Sequence, residues 1–266
     1  MSSSVPSATE IPNAARIYNY MLGGSHWFPA DQGAADYMSS LVPSTAKWVR
    51  MLRDFLQQAA RQLHGEGFRH FVDFASGLPT EDHIHPVVPG ARVVYSDVDP
   101  YTLQVARELT AGLPDVLYLE HDVRQARALL ESPRVTEFLG GERRVALGFS
   151  GITVFLSPDE IRALLRDLYD WAAPGSRLYI TWETRQPGQM TPRLQQFLDM
   201  FEQTGSPFHL YTPQEAIEMC GPWRIPAGGL PTVAEFLGLP PGHITDEDRE
   251  GVGLEFYAGI LEKPAG

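Results

Sequence analysis

The chain has 266 residues, 43% of them hydrophobic and 20% charged, which is enough to build a substantial globular core. An excess of 33 acidic over 21 basic side chains gives a net charge of −12, which argues against a broad nucleic-acid-binding surface. The single cysteine excludes an intramolecular disulfide, and neither a signal peptide nor a spanning helix is recognisable, so we expect a cytoplasmic protein.

The first predicted elements are helices. One is expected from Asn13, a good N-cap, to the glycine pair Gly23–Gly24. Residues 31–63 predict one or two further helices, which are interrupted at Pro43 and have Ser44 as an N-cap.

Strands then alternate with helices. The predicted strands are Arg69–Phe74, Ala91–Ser96, Val116–Glu120, Val145–Phe149, Arg177–Trp182 and a last one near Leu254–Leu261. Predicted between and after them are a helix or turn from Pro79, helices from Pro100 and from the capping box at Ser157–Glu160, and helices near Pro192–Thr204 and Pro213–Cys220. This alternation favours a parallel sheet covered on both faces, with a ligand beyond the carboxyl ends of its strands.

Two strand ends indicate what that ligand is. The first strand runs into Ala75–Thr80, which has one glycine where a dinucleotide site would have three, and Pro79 has no N–H for a phosphate. The second strand ends on Asp97, a suitable acceptor for a ribose hydroxyl. No Gly-Lys-Ser/Thr motif follows a glycine-rich loop, which excludes a P-loop for nucleotide phosphates. A nucleoside ligand without phosphate fits, and S-adenosylmethionine is such a ligand.

Several motifs resemble one known family. Ala15–Gly24 resembles its Ala-Arg-x-Tyr-x-Tyr-x-Leu-Gly-Gly element, and Asp73–Thr80 resembles its Asp-Ile-Gly-Thr-Gly-Leu-Pro-Thr turn, with Ala75 and Ser76 replacing a glycine and a threonine. Weaker matches are Ile84–His85, Val93–Pro100, Asp122–Arg124 and Ala173–Ser176. The family consists of bacterial S-adenosylmethionine-dependent methyltransferases that were formerly classed as a domain of unknown function.

The resemblance implies an α/β class I methyltransferase fold. This is a Rossmann-like, doubly wound, seven-stranded and mostly parallel sheet, and its last strand is antiparallel. We expect a mobile N-terminus at 1–10 and one domain over 11–266. Its parts would be a helical cap or lid at 11–65, a cofactor-binding core at 66–184 and a substrate-side part at 185–266.

Cofactor-binding roles follow from these motifs. Asp97 would hold the ribose, Asp73 would orient the turn or meet the cofactor's amino group, and Asp122 would accept from the adenine amino group. The remaining candidates are backbone or packing contacts and two lid residues: Arg16, Tyr20, Ala75, Ser76, Gly77, Val98, Val123 and Ser150. Asp99 is expected to cap the following helix rather than to bind the cofactor.

The sequence indicates the catalytic residues less clearly than the cofactor-binding ones. Glu183 at the end of the fifth strand is a candidate base or a partner for a cationic acceptor, and His26 and His85 are candidate general bases, as are His83 and His209. No metal site is expected, because His83 and His85 lack a third ligand.

The predicted reaction is direct displacement, in which an acceptor atom attacks the sulfonium methyl. We expect a small-molecule acceptor of secondary metabolism, with neither nucleic acid nor membrane as a partner. Two alternatives stay open: cyclisation or aminocarboxypropyl-type transfer on the same fold, and a non-catalytic cofactor-binding regulator. The oligomeric state cannot be inferred.

Overall fold

One mixed sheet organises the molecule. The computed structural model describes residues 9–203 and 206–265, so most of the predicted mobile N-terminus lies outside the described residues. The strands are β1 His70–Phe74, β2 Arg92–Asp97, β3 Val116–Glu120, β4 Ala146–Phe149, β5 Arg177–Thr184 and β6 Glu255–Glu262. Their order is β3-β2-β1-β4-β5-β6, in which β6 alone runs antiparallel to its neighbour.

Helices cover both faces of this sheet. They are α1 Ala14–Met21, α2 Pro29–Leu41, α3 Thr45–Gly65, α4 Pro100–Leu109, α5 Ala126–Leu130, α6 Pro133–Phe138, α7 Pro158–Trp171, α8 Pro192–Gln203, α9 Pro213–Met219 and α10 Val233–Phe236. The predicted α/β fold with a mostly parallel sheet is therefore confirmed. The short α10 lies in a proline- and glycine-rich stretch for which no helix was predicted.

Alternate residues of each strand point to opposite core layers. In β1, Phe71 packs towards α1–α4, α8 and α10, whereas Val72 packs towards α5–α7 and α9. Both side chains are fully buried, so the strand is apolar on both sides, as is typical of a covered parallel sheet.

Six strands, not seven, make up the sheet of the described residues. Between β5 and β6 the described residues form three helices and pair with the sheet at isolated bridges, among them Arg224 with Glu262 and Thr232 with Tyr257. Prolines at 222, 226 and 231 remove backbone donors from this segment, which explains why it does not pair as a continuous strand.

The connection from β1 to β2 is a turn rather than an α-helix. Residues 75–91 contain only a 3₁₀ turn at His85–Val87, because prolines at 79, 86 and 89 prevent a continuous helix. The long helix α3 packs against this turn and covers that face of the sheet instead.

The N-caps predicted from the sequence are observed in the structure, with one exception. Asn13 accepts from the backbone N–H of Arg16, and Ser157 with Glu160 forms the predicted capping box. Ser44 precedes α3, but its side chain accepts no backbone N–H of that helix; the hydroxyl instead donates to Glu250 at 2.8 Å and accepts from the Trp48 indole at 3.1 Å. That predicted cap was wrong, because a partner distant in sequence takes the hydroxyl.

None of the helices in the described ranges combines the length and the apolarity that crossing a membrane requires.

Candidate cofactor and acceptor site

A cavity of about 1240 Å³ opens at the carboxyl ends of the parallel strands. It lies where the strand order reverses between β1 and β4, which is the position expected for a ligand in an open α/β sheet. The predicted cofactor residues that line it are Asp73, Ala75, Ser76, Gly77, Asp97, Val98, Asp122, Val123 and Ser150. Glu183 lines it as well, so the structure brings these candidates together.

Asp97 ends β2 with its carboxylate facing three backbone N–H groups. Oδ1 accepts from Val98 at 2.8 Å and from Asp99 at 3.0 Å, and Oδ2 accepts from Gly77 at 3.0 Å. A carboxylate has about four acceptor positions, so one position on Oδ2 stays open for a ligand hydroxyl. Burial raises the pKa of Asp97, while the backbone hydrogen bonds lower it.

The turn after β1 adopts left-handed backbone geometry at two positions. Ala75 has a φ of 49° and Gly77 a φ of 65°. Alanine tolerates this conformation at a cost of roughly 1–2 kcal/mol, which explains why the related motif has a glycine there. A Cβ at Gly77 would lie 3.6 Å from Ala15 of α1, so this helix covers the turn closely. That placement fits the predicted lid.

Asp73 forms the floor of the cavity and is almost fully buried. Its Oδ1 accepts from the Tyr179 hydroxyl at 3.0 Å, and its backbone oxygen accepts from the Ser76 hydroxyl at 2.7 Å. Burial raises the pKa of Asp73 to about 6. Asp73 therefore links β1, β5 and the turn.

Val98 and Asp122 line the cavity just after β2 and β3. Val98 is 57% exposed although it is apolar, and it faces the cavity directly after Asp97. Asp122 caps the 3₁₀ turn Val123–Gln125 and uses Oδ1 to accept from both the backbone and the guanidinium of Arg124.

Arg16 occupies a different place from the predicted one. It is 2% exposed, does not line the cavity, and pairs with Asp31 at 2.7 Å. Its guanidinium also donates to the Ile11 carbonyl at 2.6 Å and lies over the rings of Phe28 and Tyr101. These contacts give Arg16 a structural role in holding α1 against α2, and we no longer assign it to the cofactor.

Tyr20 is also outside the cavity lining. Its hydroxyl donates to Asp36 at 3.3 Å, and its ring packs edge-on against Trp27. Tyr18, two residues earlier, is the tyrosine of α1 that faces the cavity, because helix geometry directs positions two apart to different faces.

Glu183 is connected to the loop that follows β4. The Gly151 N–H donates to the Thr181 hydroxyl at 2.8 Å, and that hydroxyl lies 3.2 Å from Oε1 of Glu183. The Thr153 hydroxyl lies 2.7 Å from Oε2. Burial raises the pKa of Glu183, while the hydrogen bonds from the two threonines lower it.

The four histidine candidates differ in position, and His209 lines the cavity beside Phe208. His26 and His85 do not line the cavity; His85 instead faces the Tyr95 hydroxyl, with Nδ1 at 3.1 Å. His83 does line it, but its Nε2 lies 3.1 Å from the Ser76 carbonyl, and burial lowers its pKa well below the ordinary value. His83 is thus held neutral as a support of the turn, and we do not carry His26 and His85 forward as bases.

The opposite wall is apolar. We define the phenylalanine cluster as Phe155, Phe197, Phe201 and Phe208, in which five of the ring pairs have centroids 4.9–6.0 Å apart. All four line the cavity. Trp48 and Phe256, stacked at 4.3 Å, extend the wall towards β6.

Arg53 on α3 and most of the apolar wall were not predicted from the sequence. A signal for Arg53 was present, because it lies four residues after Val49 and three before Leu56, so a charge interrupts an apolar helix face. No comparable signal marks Phe197, Phe201 and Phe208, since aromatic residues at such spacings are more often core.

No group of three or more His, Cys, Asp or Glu side chains that could hold a metal ion occurs at residues 9–203 and 206–265.

The fold and this edge of the sheet define a class I, Rossmann-like S-adenosylmethionine-binding site. The open acceptor position on Asp97, the apolar Val98 and the close-packed turn all fit the cofactor. A model of the S-adenosyl methyltransferase family matches residues 3–263, and the chain belongs to that family. It is thus an S-adenosylmethionine-dependent methyltransferase by family.

Solved structures support this assignment. A candidate methyltransferase from Thermobifida fusca YX is 31% identical, with 99% of this chain and 100% of that one covered and a TM-score of 0.83. A DUF574 family protein from Streptomyces avermitilis MA-4680 is 29% identical, with 96% and 99% covered and a TM-score of 0.83. This confirms the expected link to a former domain of unknown function.

A more distant structure shares the fold alone. The 1,6-didemethyltoxoflavin-N1-methyltransferase of Burkholderia thailandensis, with bound 1,6-didemethyltoxoflavin and S-adenosylhomocysteine, is 15% identical over 98% of this chain and 93% of that one, with a TM-score of 0.50. No curated protein matches this chain.

Proposed function

We propose that this methyltransferase acts on a small, largely apolar acceptor that lies against the phenylalanine cluster. The observation that carries the proposal is the contrast between the polar strand ends and the aromatic wall across the same cavity. A cavity of about 1240 Å³ has room for the cofactor and a second small molecule. Bound S-adenosylmethionine supplies an electrophilic methyl group on a sulfonium.

The cofactor-side residues keep their predicted roles in this proposal. Asp97 accepts from one ribose hydroxyl, and Asp73 faces the amino group of the methionine part. Asp122 accepts from the adenine amino group between Val98 and Val123. Ala75, Ser76, Gly77 and Ser150 are the proposed contacts along the methionine part.

Glu183 is the proposed proton acceptor. It is 2% exposed, lines the cavity, and is oriented by two threonine hydroxyls. A carboxylate with a raised pKa is a stronger base than an exposed one, which suits removal of a proton from an acceptor hydroxyl or amine. The apolar wall excludes water from the reacting atoms.

A small-molecule acceptor also agrees with the ligand of the Burkholderia enzyme, which has the same fold. The absence of nucleic-acid and membrane partners, the cytoplasmic location and the role in secondary metabolism stay predictions. So does the division into cap, core and substrate-side part. Nothing in the described part of the structure favours non-methyl transfer or a purely regulatory role.

An acceptor screen tests the proposal. The purified protein is incubated with methyl-¹⁴C-labelled cofactor and three panels: hydroxylated aromatic or alkyl compounds, polar sugars and amino acids, and DNA or RNA oligonucleotides. We expect label in the first panel, because only those compounds can bury apolar surface against the phenylalanine cluster.

Transfer confined to the polar compounds or to the oligonucleotides would overturn the proposed acceptor class. Release of methylthioadenosine without label transfer would instead support the alternative chemistry. A reaction without enzyme measures spontaneous methylation and is the baseline for all panels.

A further inference from the structure

Arg53 on α3 is a buried cation with an incomplete set of partners. It is 7% exposed and lines the cavity, yet its Nε and Nη1 are buried and make no hydrogen bond. The Asp82 carboxylate lies 3.7 Å from Nε, beyond hydrogen-bond distance, and is itself 42% exposed. Burying a guanidinium with unsatisfied donors costs several kcal/mol, and a ligand oxygen would supply the missing partner.

An aromatic ring supports the guanidinium of Arg53. Its guanidinium carbon lies 5.4 Å from the centre of the Tyr18 ring, which supports it by a cation–π contact. The Tyr18 hydroxyl donates to the Val49 carbonyl at 3.1 Å, which fixes the ring that supports the arginine.

The charges near the end of β1 indicate which ligand group belongs there. Besides Arg53, the only arginine in the described cavity lining is Arg124, which pairs with Glu160 at 2.7 Å near β3. The other charged side chain at the end of β1 is the carboxylate of Asp73. Of the three charged groups of S-adenosylmethionine, only the carboxylate requires a cation.

We propose that Arg53 binds the carboxylate of the cofactor's methionine part, while Asp73 faces the adjacent ammonium. The two side chains thereby form a clamp for the zwitterionic end. Guanidinium–carboxylate pairs provide parallel, charge-assisted hydrogen bonds, which makes arginine well suited to this role. Both side chains line the same cavity, and the charge of Arg53 lowers the pKa of Asp73 against the larger effect of burial, which raises it.

Calorimetry with two ligands and four proteins tests the clamp. S-adenosylmethionine and its decarboxylated analogue are titrated into wild type, Arg53→Met, Arg53→Lys and the control Arg61→Met, an exposed arginine on the same helix. We expect wild type and Arg61→Met to prefer S-adenosylmethionine by roughly 10- to 100-fold. Arg53→Met should abolish the preference, and Arg53→Lys should reduce it.

Equal affinity of wild type for both ligands would overturn the proposal, as would a full preference retained in Arg53→Met or Arg53→Lys. The comparison of ligands on wild type holds even if Arg53→Met fails to fold, and Arg53→Lys then provides the protein side of the test. No acceptor is present, so the result does not depend on the proposed acceptor class.

Discussion

The two sides of the cavity are built in different ways. The cofactor side consists of turns that follow consecutive strands, and backbone hydrogen bonds to Asp97 fix its shape. The acceptor side is assembled from α2, α3, α8 and the chain around 206–210, which are far apart in sequence. A side made of strand ends is constrained by the sheet, whereas a side made of packed helices is free to vary with the acceptor.

The largest expected effect concerns Glu183, where the two sides meet. Glu183→Gln should lower kcat by about 10²–10⁴-fold, the usual contribution of a general base, and leave the Kd for S-adenosylmethionine within about twofold. Because burial raises the pKa of Glu183, wild-type kcat should rise with pH through that raised value and then level off. Stopped assays between pH 5 and pH 9 would show this, and an unchanged kcat in the variant would exclude Glu183 as the base.

The next prediction tests the floor beneath the cofactor side. A Cβ at Gly148 of β4 would overlap the Tyr179 hydroxyl and the Asp73 carboxylate, so Gly148→Ala should destabilise the protein by about 3 kcal/mol or more. Gly33→Ala is the control, because that glycine lies exposed in α2 with open space around it. Urea unfolding measures both, and equal stability of the two variants would contradict the packing described here.

The Asp97→Ala variant should affect the cofactor side of the cavity and leave the acceptor side unchanged. Loss of the ribose contact should weaken S-adenosylmethionine binding by about 1–3 kcal/mol, while the KM of an acceptor found in the screen should change little. Asp115→Ala, at an exposed position before β3, is the matched control. Calorimetry that finds wild-type affinity in Asp97→Ala would remove this carboxylate from the site.

The raised pKa of Asp73 predicts that the free energy of unfolding depends on pH. Its pKa of about 6 in the folded state exceeds the ordinary 3.8, so the folded protein binds the proton more tightly. This contribution is complete below pH 3.8 and is lost as the pH rises through about 6, by roughly 3 kcal/mol in total. Urea unfolding of wild type and Asp73→Asn between pH 4 and pH 7 measures it. An identical slope in both proteins would be inconsistent with the shift.

The smallest effect is expected on the acceptor side. Phe208→Ala should raise the KM of an apolar acceptor by roughly tenfold through lost burial, without changing the Kd for S-adenosylmethionine. Tyr37→Ala, an exposed aromatic outside the cavity lining, is the control. A weakened cofactor affinity in Phe208→Ala would mean that the two sides are not separable.

The accuracy of the sequence-based predictions differs between the same two sides. The strand ends were predicted to within two residues, and the candidates that follow them line one cavity, because parallel strands place their carboxyl ends together. Arg16 was misassigned: its spacing from Tyr20 reveals a shared helix face but not that Asp31 of α2 is the partner.

The amino-acid sequence by itself determined the alternation of elements, the nucleoside-type turn and the family, because these depend on local patterns and short motifs. Only the tertiary structure decided that Arg53 lies buried in the same cavity as Asp73, that the sheet of the described residues has six strands, and that phenylalanines from separate segments form one wall. Those features arise from contacts between residues far apart in the chain, where burial and pairing depend on which surfaces meet.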